Sequence, residues 1–276
     1  DNNVAIGTVA LSAAQTADDN TAVGYLSLQS NTTGYSNTSI GSSSSCCNTE
    51  GFQNTVLGFK AMACNTTGDN NTAIGTCALC RNTTGTNNTA VGICALDAHQ
   101  SGNSNTAIGS YSLAANTTAE QNVAVGSNTL QANTTGAKNV AVGRNALGAN
   151  TTASDNTSVG YCSLVSNTTG TENVAMGTEA LDSNTTGNYN TGVGFQSLQA
   201  VTTGGYNTGV GYKTLFTNTG SLNTAVGWSA LLSNTSASNN VAVGTNSSEK
   251  NTTGDQNVSV GVDSLNKNTT GSSNVA

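Results

Sequence analysis

Proline is missing altogether from the 276-residue chain, and charged residues supply only 8% and aromatic residues 4% of it. Disordered segments are typically charged and proline-rich, so these shortages, with apolar residues held strictly in phase, argue against disorder. They argue equally against an ordinary globular core and suit a thin, elongated one. Only seven residues are Lys or Arg and the net charge is -7; nucleic-acid binding needs a basic footprint, so that partner class is excluded. No run approaches the ~18 apolar residues of a membrane span, and membrane insertion is not expected. The chain has a single His, His99. Without fixed carboxylate or thiolate neighbours it builds neither a hydrolase constellation nor a transition-metal site. The fourteen acidic residues are scattered, and the G-G-x-G-x-D calcium repeat is absent. The chain reads as non-enzymatic, with no cofactor, no metal ligand and no catalytic residue.

What is present is a repeat. The pattern N-[TV]-small-[VILM]-G opens at Asn3, Asn20, Asn37, Asn54, Asn71, Asn88, Asn105, Asn122, Asn139, Asn156, Asn173, Asn190, Asn207, Asn223, Asn240, Asn257 and Asn274, with steps of 17 residues and one of 16. Sixteen complete units and the start of another leave no room for a second fold, so residues 1–276 read as one repeat domain, a window of a longer array. With places numbered from the Asn, place 5 is Gly in every complete unit and place 4 is aliphatic or Met. Place 3 is small, place 8 is Ala, Ser or Thr, and place 9 is Leu except at Ser45, Met62 and Ser248. Places 12 to 15 usually read N-T-T-G, while places 6, 7, 10, 11, 16 and 17 vary and carry nearly all the charge.

A four-residue alternation such as "TAVG" makes a short strand, and the Leu sits in a second short segment. Gly at place 5 and Gly or Ala at place 15 are the expected bends, because Gly tolerates positive φ. The expected fold is all-β: a parallel β-solenoid of about sixteen 17-residue coils stacked ~4.8 Å apart. Buried Asn amides need partners, and in-register stacking lets the seventeen place-1 Asn residues form one hydrogen-bonded ladder. A second ladder at place 12 is broken at Ala14, His99 and Val201. The alternative at place 12 is glycosylation, because Asn31, Asn65, Asn82, Asn116, Asn133, Asn150, Asn167, Asn184, Asn234, Asn251 and Asn268 head sequons. Sugars every ~4.8 Å would crowd one another, which favours the ladder. Two apolar side chains per coil make a slender core, so an interior shared between chains is expected, with places 2 and 4 turned toward a neighbour.

The segments "NVAIG" at 3–7, "NTAIG" at 71–75 and "NVAVG" at 122–126 resemble the repeats in the head domains of trimeric autotransporter adhesins. The longer "NTAVGYLSLQSNTTG" at 20–34 is similar to repeats of phage and bacterial tail-fibre-domain proteins. The resemblance implies a left-handed β-roll, homotrimeric, on an extracellular, cell-surface or virion fibre that attaches to surfaces. The adhesin heads have a shorter unit, and their neck, stalk and anchor segments are not seen here.

Two groups of side chains are candidates for more. Cys47 and Cys64 share place 11 of adjacent coils, and Cys77 and Cys94 share place 7. In-register neighbours come near disulfide distance, so staples and an oxidising compartment are expected, against a reading as small buried residues. Cys46 and Cys80 share place 10 two coils apart, which makes Cys64 with Cys80 a competing pair, and Cys162 stands alone. Phe195, Tyr212 and Trp228 occupy place 6 of successive coils, with Tyr189 and Tyr206 at place 17. They form either a contact surface for a sugar or partner, or a stiffening stack.

The function expected is a rigid extracellular fibre or adhesin segment. Its partners would be itself, as a homotrimer or head-to-tail filament, and surface glycans or a host surface. An ice-binding solenoid is the further alternative; places 12 and 14 offer Asn and Thr ranks, but place 2 mixes Thr with Val and a T-x-T pairing is missing.

Overall fold

The computed structural model describes residues 2–276. The chain is an all-β parallel solenoid without helices among the described residues, and it divides into two compact units, Asp1–Lys138 and Asn139–Ala276. Each unit holds eight three-residue strands, one per coil. The first runs from β1 (Val4–Ile6) and β2 (Thr21–Val23) to β8 (Val123–Val125), and the second from β9 (Val140–Val142) to β16 (Val258–Val260). Within each unit the strands lie in sequence order, and every pairing is parallel with identical places opposite one another.

Inside the strands of the inner coils place 3 is buried and places 2 and 4 turn to the other side, as in Thr72–Ile74, where Ala73 is buried between a half-buried Thr72 and a half-buried Ile74. The core is built from place 3, place 8 and the Leu of place 9: Ala73, Ala78 and Leu79 are fully buried and their counterparts in the inner coils are buried too, while the end coils are more open, with Ala5 exposed and Leu265 half-buried. Where place 3 is Gly the interior is filled from place 8: Gly209 packs beside Thr214, as a close-packed interior demands. The expectation of an interior shared between chains is therefore corrected: each coil buries its Leu against its own chain. What makes so slender a core sufficient is saturation of the backbone. Around one coil, Thr72 N–H reaches Asn88 O at 2.8 Å, Gly75 N–H reaches Leu57 O at 2.8 Å, Leu79 N–H reaches Ala95 O at 2.9 Å and Thr83 N–H reaches Gln100 O at 2.9 Å.

The bends differ from expectation. Place 5 does take positive φ, +132° at Gly75, but place 15 does not; three non-glycine places, 7, 9 and 17, do so instead. Leu79 sits at φ 53°, Cys77 at 55° and Asn87 at 58°. A bulky residue in the left-handed region carries roughly 1–2 kcal/mol of strain, sustained only where surrounding contacts over-determine it. At place 9 that constraint is the buried Leu together with its inter-coil hydrogen bond. Place 15 is kept small by close packing: a Cβ on Gly68 would meet Gly85 O and Asn65 Oδ1, although Ala17, Ala119, Ala153 and Ala237 are accommodated at the same place of other coils. The single 16-residue coil omits the second Thr of N-T-T-G, and its neighbours stay in register, with Asn223 N–H donating to Asn207 Oδ1 at 3.1 Å.

Candidate functional surface

The place-1 asparagines are joined in an unbroken series from Asn3 to Asn122 in the first unit and from Asn139 to Asn274 in the second. Asn71 is typical. Its Oδ1 accepts from Asn88 N–H at 2.9 Å and Asn88 Nδ2 at 3.2 Å, while its Nδ2 donates to Asn54 Oδ1 at 3.2 Å and Gly85 O at 2.9 Å. The ladder thus captures a backbone N–H in each coil as well as the neighbouring amide, a role that side-chain spacing alone did not suggest.

At place 12, Asn48 donates to Asn31 Oδ1 at 2.8 Å and Asn65 to Asn48 Oδ1 at 2.7 Å, and each amide also donates across its own turn to place 15. Ten of the eleven sequon asparagines are fully buried and Asn268 is half-buried. Every one of the eleven uses Nδ2 as a donor, Asn31 to Gly34 O and Asn268 to Asn251 Oδ1 among them. The glycosylation alternative is corrected accordingly: a sugar would need that nitrogen free and facing out.

The breaks in this ladder leave marks. His99 takes the place of an Asn, and its Nε2 lies 2.7 Å from Gly102 O, but its Nδ1 has no partner and neither does Asn82 Oδ1. Val201 does the same to Asn184 Oδ1. Burial holds the His99 imidazole below its usual pKa of 6.5, against a smaller opposing pull from the Gly102 carbonyl. The unfolded chain therefore takes up a proton below about pH 6.5 that the folded chain resists, so stability declines as pH falls through that range. His99→Asn is expected to remove this slope and supply the missing donor. Val201→Asn should raise stability by about 1 kcal/mol, since an unsatisfied buried group costs about 1–3 kcal/mol. Urea denaturation at about pH 7.5 and about pH 5.5, on either side of the imidazole range, checks both.

All seven cysteines are free thiols, so the expected pairs Cys47–Cys64 and Cys77–Cys94 are corrected. In-register side chains on parallel coils run side by side ~4.8 Å apart, whereas a disulfide needs Cβ atoms ~3.8 Å apart and a crossed geometry. Free thiols remove the argument for an oxidising compartment. Burial, then the neighbouring Cys47, pushes the Cys46 thiol up to about 11, and burial followed by Cys77 pushes Cys80 up to about 12. Because the thiolate is the reactive species, Cys80 and Cys46 should be slow to react with a thiol reagent at neutral pH, and a reductant should leave the thermal midpoint unchanged.

The place-6 rings stack: Phe195 on Tyr212 at 5.5 Å and Tyr212 on Trp228 at 5.7 Å between centroids, with Lys213 over Tyr212 and Phe216. Tyr189 stacks on Tyr206 at 4.8 Å. The facing sides of neighbouring rings cover one another, while the rings stay exposed, Trp228 at 53% and Tyr206 at 60%. A further stack, Tyr35 on Phe52 at 4.7 Å, was missed by sequence reasoning; its signal is a shared place 16 in adjacent coils.

Among the described residues there is no pocket, no group of three or more His, Cys, Asp or Glu able to hold a metal ion, and no helix long and apolar enough to cross a membrane. The chain matches no protein-family model and no curated protein.

Proposed function

We propose that the chain is a non-enzymatic structural segment of an extracellular fibre or adhesin, a stiff spacer whose variable places meet the surroundings. The observation that carries this reading is the two Asn ladders, which tie each coil to the next while leaving places 6, 7, 10, 11, 16 and 17 free to vary. Local chemistry is spent on holding coils in register rather than on gathering reactive groups in a concavity. Cell-surface or virion location and a homotrimeric assembly belong to this proposal through the resemblance to adhesin heads and tail fibres. Immunogold labelling in the organism that makes the chain tests it. Gold on surface filaments is the expected result; gold confined to the cell interior, or cleavage of a polysaccharide by the purified chain, overturns it.

A further inference from the structure

Each unit leaves one regular face uncovered. Places 2 and 4 project from the strands to the side opposite the buried place 3, as strand alternation requires. Place 4 is aliphatic or Met in all sixteen strands, and place 2 is Thr or Val. Of these side chains Ile40 is open to solvent at 38%, Leu57 at 48% and Ile108 at 41%, while Ile74, Val91 and most of the Thr residues are half-buried. In the first unit Thr21, Thr38, Thr55, Thr72, Thr89 and Thr106 follow one another in register. In the second, Thr191, Thr208 and Thr224 do the same. No charged and no aromatic residue lies on the face.

Rows on this face repeat every ~4.8 Å, and the two ranks lie roughly 6.6–6.8 Å apart along the strand. The face of each unit is a periodic lattice: one rank of aliphatic side chains, one rank rich in hydroxyl-bearing Thr. Backbone pairing and the Asn ladder beside place 2 hold that spacing rigid. A strict lattice is best matched by another periodic surface, which narrows the occupants to a crystalline solid or a second copy of the same face. A charged mineral would call for ranks of charge, and protein partners are anchored by aromatic and Arg hot spots; neither is here. Water above the methyl rank finds no hydrogen-bonding group and must bond to itself, while Thr hydroxyls pin it at fixed intervals. Crystalline water has oxygen repeats close to both spacings.

We propose that the place-2 and place-4 face of each unit binds ice. The pairing is [TV]-x-[VILM], with Thr at place 2 in ten of the sixteen strands, and the aliphatic rank stands where a second Thr rank would be in T-x-T. This inference stands apart from the structural role above, and its failure would leave that role intact.

The test uses the whole chain in an osmometer that reads the gap between melting and freezing points of a single ice crystal. The wild type is expected to open a gap and facet the crystal. Thr89→Tyr with Thr208→Tyr, which roughens the face of both units, is expected to lose the gap, with circular dichroism unchanged. Thr84→Tyr with Thr186→Tyr, at the exposed place 14, is expected to keep it. No gap from the folded wild type overturns the proposal, and so does equal loss from both double variants. Light scattering provides the other decisive outcome: if the wild type self-associates and Thr89→Tyr with Thr208→Tyr abolishes that association, the face belongs to a second copy and not to ice.

Discussion

Gly75→Ala is expected to cost more than about 3 kcal/mol and to open the coils on either side, although it adds one methyl group. The methyl carbon would lie 2.5 Å from the carbonyl oxygen of Gly92 and 2.8 Å from its carbon, and the backbone there sits at φ +132°. Both obstacles are backbone, so no side chain can swing away. Relief requires the coil of Gly92 to move away, which breaks the bonds from Thr72 N–H to Asn88 O and from Gly92 N–H to Ile74 O, each 2.8 Å. Strain of this origin belongs with the largest single-residue effects. Gly192→Ala provides the contrast. Gly192 stands at place 3, where most coils have Ala; the new methyl would meet Ser197 O at 3.3 Å and Leu181 Cγ at 3.4 Å. That change should stay within about 1 kcal/mol, the reduced freedom of the unfolded chain offsetting a small adjustment of Leu181. Urea midpoints of the two variants decide the matter: equal losses would mean that the repeat does not read Gly at place 5 through the approach of its neighbour.

Much of this was legible from the spacing alone. A period of 17 residues with Asn, a small residue, an aliphatic residue and Gly at fixed places dictates a parallel stack, because only in-register coils bring identical places together. The strand, the buried Leu and both Asn ladders follow from that step. Direction was legible too. In a three-residue strand the alternation says that Thr72 and Ile74 share a face, and the small residues of place 3 leave that face as the outer one, as the burial of Ala73 bears out. What composition could not reveal is that Ala73, Ala78 and Leu79 fill the interior without help from a second chain. The left-handed places were hidden for a similar reason. Leu79 at φ 53° runs against local preference, and only the tertiary stack enforces it. Cys77 and Cys94 were placed correctly in register, yet register fixes distance along the stack and not the direction in which two sulfurs point.

Asn71→Ala is the complementary experiment, removing an interaction where Gly75→Ala introduces a clash. Asn88 would lose the acceptor for its backbone N–H and for one amide proton, while Asn54 Oδ1 and Gly85 O would each lose a donor. The two carbonyl acceptors keep other partners, Asn54 Oδ1 with the Asn71 N–H and Gly85 O with Asn82 Nδ2. The two donors on Asn88 do not share that reserve equally, since its amide still reaches Gly102 O at 3.0 Å but its backbone N–H has nothing else in reach. With buried orphans at about 1–3 kcal/mol apiece, the expected loss is about 2–5 kcal/mol. Hydrogen exchange should place it first at Asn88 N–H and the coils beside it, since repeats fail locally. Asn71→Asp separates a ladder from mere packing. A carboxylate keeps the shape and can accept from Asn88, but it must face Asn54 Oδ1 and Gly85 O as acceptor against acceptor in a buried site. The new carboxyl then stays protonated to higher pH in the folded chain than in the unfolded one, so stability should fall as pH rises above about 4. Asn71→Ala lacks this slope. A pH-independent Asn71→Asp variant, or an Asn71→Ala variant as stable as the parent, would mean that the recurrent asparagine fills volume and does not pair.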